Sequence, residues 1–487
     1  MKFLRWFKRI VLSLVLLVIG AMGLRLYDIQ RGPDLQLWHT YVPHEMDADE
    51  IDKADWNHYL KVEDSLFTEV KLNVTNKLDA QQQTELNRYY SGSPIYPDRF
   101  QTNWNRSYIM FPDAKPKGVV VMLHGLTDTP YSLRHIAENY RQHGFIAIGI
   151  RLPAHGTVPA ALTKVTWQDW LAATRLAVRE AKKLAGNDVP LHIVGFSNGG
   201  ALAMKYTLDA LNDPRLAKPQ RVILISPMIG VTRFARFSGV AGWPSFLPAF
   251  AKAAWLTIMP EFNPFKFNSF PTNAARQSFL LTSALQTQIA VDSRNKKLDQ
   301  LPPIMTFQSA MDSTVSARAV ITALYNRLPV NHSEVVLFDL NHAVRFNALL
   351  RRSSYTALSR LLPTPPRRYD TTIITNVTAG STEMEIRTIP AGKTEQIVEK
   401  MGLRYLPDVY SLSHVALPFP MTDSLYGRYP EPQNQYGISL GTFAARGERA
   451  VLIVGLDSLM RQSSNPFYPY IIERINEGID TRVPGNN

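Results

Sequence analysis

The chain has 487 residues, is 45% hydrophobic and 19% charged, and carries 26 Gly and 33 Pro. This globular profile excludes a disordered chain, a collagen-like repeat, a coiled coil and a multi-span membrane protein. At about 100 to 200 residues per domain, it holds two or three domains or one large α/β domain with insertions. With no cysteine, disulfides, thiolate zinc sites, iron–sulfur clusters and a cysteine nucleophile are removed together. The net charge is +12. Lys2, Arg5, Lys8, Arg9, Arg25 and Arg31 face a single acid, Asp28, within residues 1–31, and a short basic run recurs at Arg351, Arg352, Arg367 and Arg368. No RRM, helix-turn-helix or finger pattern accompanies these charges, so no nucleic-acid partner is expected.

The first element is the uncharged run Ile10–Leu24 behind that basic flank. It reads as a single-pass membrane anchor, with Trp6 and Phe7 at the headgroup level and everything after Arg25 exported, which in a bacterium is the periplasmic side of the inner membrane. A cleaved signal peptide ending near Ala21-Met22-Gly23 is the alternative, and would give a secreted chain. A buried core helix is the third reading. Residues 32–104 are polar, with helix expected in the acid-rich stretch Asp47–Glu69, and form a stalk or a wrapping segment.

From residue 105 onward, short apolar runs alternate with helical stretches. Strands are expected at Gly118–Leu123, Phe145–Ile150, Leu191–Val194, Arg221–Ile225 and Ile304–Phe307, with a helix from Asn198 to about Leu211. Continuous apolar strands separated by helices mean a mostly parallel sheet covered on both faces. Between about 228 and 298 the strand signal gives way to aromatic and Pro-rich sequence, including Phe234, Phe237, Trp243, Phe246 and Trp255. This reads as a cap, with helices near 246–259 and 272–290. Residues 365–487 form a C-terminal extension with strand-like TTIITNV and VYSLSHV and a helix near 465–478.

Three strand ends carry the candidate chemistry. Gly195-Phe196-Ser197-Asn198-Gly199-Gly200 lies between a buried strand and a helix, the context that a G-x-S-x-G elbow needs. The neighbours at Gly195 and Gly199 must lack side chains for the turn to close, and Ser197 is then presented at a helix N-terminus. His124-Gly125-Leu126-Thr127-Asp128 follows the first buried strand. Its Leu126 N–H, with that of Asn198, is the candidate oxyanion pair, while His124 reads as a structural loop residue. Asp312, in SAMDSTV after the strand PPIMTFQ, is the candidate orienting acid. Two histidines compete for the base. His342 lies one helix and one strand beyond Asp312, the spacing such a base usually has. His414 lies farther on, in the dense block SLSHVALPFPMTDSLYG. No Walker loop, dinucleotide fingerprint or H-E-x-x-H is present, so no metal or cofactor is expected.

MLHGLTDTPYS, RLPAHG, GFSNGG and SAMDSTV, spanning 118–315, resemble in order the oxyanion loop, post-strand loop, elbow and acid loop of α/β-hydrolases of the monoacylglycerol lipase, lysophospholipase and esterase type. The segments VVLFDLN, SLSHVALPFPMTDSLYG and ARGERAVLIVGLDSLMRQSSNPFYPYIIERI resemble the C-terminal part of a branch of larger, membrane-associated bacterial hydrolases. That resemblance implies an α/β-hydrolase domain over 105–487 and favours Ser197, Asp312 and His414 as a triad, against the spacing argument for His342. The function it implies is hydrolysis of a carboxylic, lipidic ester through an acyl-enzyme. Acyl transfer, serine aminopeptidase activity and an inactive membrane-tethered binding protein are the alternatives.

Overall fold

The computed structural model describes residues 2–186, 188–230, 242–343, 354, 356–430, 435–442 and 455–480. Phe234, Phe237, Arg351, Arg352 and the 445–454 part of the last C-terminal motif lie outside them.

Among the described residues twelve strands form: β1 (Tyr108–Met110), β2 (Gly118–Leu123), β3 (Phe145–Ile150), β4 (Leu191–Phe196), β5 (Arg221–Ile225), β6 (Trp255–Thr257), β7 (Phe270–Pro271), β8 (Ile304–Ser309), β9 (Glu334–Phe338), β10 (Asp370–Asn376), β11 (Glu383–Ile389) and β12 (Ile397–Arg404). Ten of them make one sheet in the order β1-β3-β2-β4-β5-β8-β9-β10-β11-β12. From β3 to β10 neighbouring strands run parallel, and β1, β11 and β12 are antiparallel to their neighbours. Side chains alternate between two cores. Val119, Val121 and Leu123 of β2 face one, with the helices Trp167–Ala185 and Asn198–Asn212; Val120 and Met122 face the other, with the helices Arg134–Gln142 and Tyr468–Asp480. Both faces are therefore covered, as unbroken apolar strands require.

The helices start where capping chemistry puts them. The Asp47 carboxylate accepts the Glu50 N–H at the start of Ala48–Lys53, and Asp55 accepts the His58 N–H at the start of Trp56–Asn73. Thr166 and Asp169 form a capping box at Trp167, and Gly186 ends that helix at φ +82°. The acid-rich segment is thus helical, and it wraps the core. Ile51, Trp56 and Tyr59 are buried in the main core. The Arg151 guanidinium, 1% exposed, pairs with Glu45 at 2.8 Å and Glu63 at 3.2 Å. The Tyr59 hydroxyl donates to the Arg151 carbonyl at 2.6 Å.

Three expectations are corrected. Lys2–Gln30 is one 29-residue helix, but among the described residues no helix is long and apolar enough to cross a membrane. The membrane anchor, and the placement of the domain across a membrane that rested on it, fall with that finding. The physical reason is length: an uncharged run of fifteen residues, Ile10–Leu24, rises about 22 Å at ~1.5 Å per residue, against about 30 Å of hydrocarbon. Second, 246–259 is not a helix. It forms 3-10 turns at Trp243–Phe246 and Pro248–Ala254 and then β6, which pairs with β7. Pro244 and Pro248 remove helix donors, and Phe250 leaves helical angles at φ −118°, ψ 26°. The second cap helix forms as Thr272–Arg294. Third, Val409–Ser413 is irregular rather than a strand. Its backbone bonds reach loops instead: the Tyr410 carbonyl accepts the Asn341 N–H at 2.8 Å, and the Leu412 carbonyl accepts the Ser309 hydroxyl at 2.9 Å.

The irregular 413–427 stretch is pinned by Asp423, whose side chain is fully buried. It accepts from Arg134 Nη2 at 2.7 Å, His135 Nε2 at 2.9 Å and the Tyr131 hydroxyl at 3.0 Å. The Leu425 and Tyr426 N–H groups add bonds of 2.9 and 2.7 Å. Burial raises the carboxyl's pKa, but Arg134, His135 and the N–H bonds outweigh it and hold the group far below the usual carboxylate value. A depressed carboxylate stabilises the fold above its unfolded pKa, about 3.9, and that contribution is lost as pH falls through the folded value. Asp423→Asn should cost about 3–5 kcal/mol in urea unfolding at neutral pH, because Arg134 is left buried and uncompensated. Below about pH 4 the wild type should lose stability more steeply than the variant; parallel curves would discount the pair.

Candidate active site

The turn after β4 holds Ser197 at φ +54°, ψ −114°, a left-handed strain that a non-glycine residue tolerates only when its surroundings force it. The forcing contacts are visible. A Cβ on Gly195 would lie 2.4 Å from the Gly199 carbonyl oxygen, and one on Gly199 would lie 1.9 Å from that of Leu123. Backbone bonds fix the turn: the Ser197 N–H donates to the Ile225 carbonyl at 3.0 Å, and the Ser197 carbonyl accepts the Met228 N–H at 2.9 Å. Asn198 is the first residue of its helix, so its N–H has no intrahelical acceptor. The loop after β2 closes against the serine, since a Cβ on Gly125 would meet Ser197 Cβ at 3.2 Å. Leu126 is the next residue of that loop.

At the end of β8, the Asp312 side chain is fully buried. Its Oδ2 accepts from His414 Nδ1 at 2.8 Å and from Gln308 Nε2 at 2.9 Å. Its Oδ1 accepts the N–H groups of Thr314 at 2.8 Å and Val315 at 3.1 Å. Burial raises the Asp312 pKa, but the His414 ring and these N–H groups overcome it and hold the carboxyl below its ordinary value. The His414 ring, 5% exposed, stacks on Phe196 with centroids 5.3 Å apart. Phe196 immediately precedes Ser197, so the acid and this imidazole stand beside the serine turn.

His342 is placed differently. Its Nε2 lies 3.1 Å from Asp339 Oδ2 and its backbone N–H donates to Asn376. Asp312 is joined to His414, and His342 turns toward its own carboxylate. His124 is built into the loop framework: its Nδ1–H donates to the Gly125 carbonyl at 2.9 Å and its Nε2 accepts the Leu152 N–H at 3.0 Å. Burial holds its pKa well below the ordinary value, which fits a neutral structural ring. Among the described residues, no group of three or more His, Asp or Glu side chains is arranged to hold a metal ion. Sequence reasoning missed Gln308 and Phe196. The only signal for Gln308 was its place four residues before the acid; nothing local marked Phe196 as a ring support.

A strained serine between a parallel strand and a helix, with an acid at the end of a later strand, is the arrangement of one large family. Residues 114–344 match its model described as serine aminopeptidase, S33 (Hydrolase_4). The chain has the α/β-hydrolase fold. This α/β-hydrolase is 32% identical over 85 residues to a thermostable monoacylglycerol lipase of Bacillus sp. (strain H-257), covering 18% of the chain and 33% of that protein. It is 25% identical over 118 residues to phospholipase YtpA of Bacillus subtilis (strain 168), covering 24% of the chain and 43% of that protein. The chain thus spans well under half the length of these curated relatives. Among solved structures, it resembles one from work on the metagenome-derived lipolytic enzymes LipS and LipT at 19% identity and TM-score 0.39, covering 49% of the chain and 88% of the other. It also resembles a monoglyceride lipase of Saccharomyces cerevisiae at 12% identity and TM-score 0.36, covering 47% and 81%.

The elbow's packing gives a direct test. Gly199→Ala drives a Cβ into a backbone oxygen that no side-chain motion relieves. It should destabilise the protein by more than about 2 kcal/mol, in the tail of single-substitution effects. Wild-type stability in the purified variant would contradict the close approach of the loop and helix.

Proposed function

We propose that this α/β-hydrolase is a serine ester hydrolase acting on lipidic carboxylic esters of the monoacylglycerol or lysophospholipid type. Ser197 attacks the carbonyl carbon. His414 Nε2 takes the serine proton, while Asp312 holds Nδ1–H and stabilises the imidazolium that forms. The Leu126 and Asn198 N–H groups receive the oxyanion. His414 then returns the proton to the leaving alcohol, leaving an acyl-enzyme that water resolves. The observation that carries this reading is the 2.8 Å contact between Asp312 and a histidine stacked on the residue before the elbow serine. The lipase and phospholipase among the partly matched relatives support the ester class. The family description supports one competing substrate, an aminoacyl amide.

Fluorophosphonate labelling of wild type, Ser197→Ala, His342→Ala and His414→Ala, with folding checked for each, tests the roles. Labelling should vanish with Ser197→Ala and slow by about 10²- to 10⁴-fold with His414→Ala, the usual contribution of a general base. His342→Ala should label as wild type does. Loss of labelling with His342→Ala alone would reverse the assignment, and turnover of an aminoacyl amide but of no ester would replace the substrate class.

A further inference from the structure

Gln308 is a fully buried polar side chain to which the proposed chemistry gives no task. It stands near the end of β8, four residues before Asp312. Its Nε2 donates to Asp312 Oδ2 at 2.9 Å and, at 3.3 Å, to the Ser309 carbonyl. Its Oε1 is buried as well and finds no hydrogen-bond partner among the described residues. An acceptor left unpaired in a buried site carries the full cost of its lost hydration. An apolar side chain of the same shape would fill the space without that cost. The imbalance marks the nitrogen as the useful end of this amide.

That nitrogen shares Oδ2 with the His414 ring, whose Nδ1–H donates to the same oxygen at 2.8 Å. The other oxygen, Oδ1, takes the Thr314 and Val315 N–H groups of its own turn at 2.8 and 3.1 Å. Those two bonds hold one end of the carboxylate, and the plane of the group is then set by what meets Oδ2. Gln308 meets it from β8 and His414 from the irregular stretch after β12. Only the ring changes its protonation during a serine hydrolase cycle. The amide is neutral at every working pH, so its bond persists while the ring gains and loses charge. Other charged groups flank the acid. Arg461 donates to the Thr314 hydroxyl. At the end of the neighbouring strand β9, Asp339 is occupied by His342 and the Thr375 hydroxyl. Among the described residues, the side chains bonded to Asp312 are Gln308 and His414 alone.

We infer that Gln308 is a positioning residue: its amide N–H fixes the Asp312 carboxylate in the plane that meets His414 Nδ1 and keeps it ionised through the proton's transfer to the ring and back. This inference rests on the ester-hydrolase reading above. The test reads the fluorophosphonate labelling rate of the purified full-length chain as wild type, Gln308→Leu and Gln308→Glu, with folding checked for each. Gln308→Leu keeps much of the volume and removes the donor. It should label about tenfold or more slowly than wild type, the scale of a hydrogen bond to a charged group. Gln308→Glu discriminates positioning from packing. A protonated carboxyl at this position donates to Asp312 as the amide does, whereas an ionised one has no donor and repels it. Burial and the adjacent carboxylate both raise the pKa of such a group. The rate of Gln308→Glu relative to wild type should therefore be highest near about pH 5 and fall about fivefold or more by about pH 8. A packing role would leave that ratio level with pH. A level ratio, or wild-type labelling by Gln308→Leu, overturns the inference. Should Gln308→Leu not fold, the pH dependence of Gln308→Glu decides alone. Either overturning result with a labelled wild type removes only the role of Gln308. A folded wild type that does not label loses the activated serine and this role together.

Discussion

The contact between the Asp312 carboxylate and the His414 ring is the constraint on which the geometry around Ser197 depends. Two partners far apart in sequence must meet within 2.8 Å at the end of one strand. A buried carboxylate without a partner is costly, so the ring, Gln308 and two backbone N–H groups converge on it. The ring in turn needs a fixed floor, which Phe196 supplies from the strand that ends in the serine turn. Acid, imidazole and serine turn are therefore held by adjacent parts of one sheet, β4 and β8, with β5 between them.

The parallel sheet gives this arrangement its rigidity. Its strands bury both faces, so their ends cannot shift without opening a core. The strain at Ser197 is balanced locally by bonds from Ile225 and Met228, and by glycines where no side chain would fit. Outside the sheet, His414 rides on irregular chain. There the fully buried Asp423 takes over, binding that chain to Arg134, His135 and Tyr131. On the opposite flank, Arg151 draws Glu45 and Glu63 onto the core and converts a polar N-terminal stretch into a wrapping layer. Buried ion pairs thus fix the two segments for which the sheet supplies no ladder.

Much of the scaffold was legible residue by residue. Gly118–Leu123, Phe145–Ile150 and Arg221–Ile225 are unbroken apolar runs, and each forms a strand with the expected limits. The cap was less legible at 246–259, where apolar spacing suggested a helix but two prolines and a non-helical Phe250 gave turns and a short hairpin. The N-terminal run shows the opposite limit. Its hydropathy was plain, yet hydropathy alone does not supply the length that a span requires. The strand expected before His414 failed because VYSLS has strand composition, but its Tyr410 and Leu412 carbonyls accept from Asn341 and the Ser309 side chain rather than from a strand ladder.

The sequence by itself determined the elbow, the strand after which the acid falls and the two-sided cover of the sheet, because each is a local pattern of glycine, apolar period or strand end. The tertiary structure decided which histidine meets Asp312. Spacing along the chain counts helices and strands and favours His342, but hydrogen bonding counts distance in space. The His342 ring is engaged by Asp339, three residues away, while the chain beyond β12 folds back over the sheet and delivers His414.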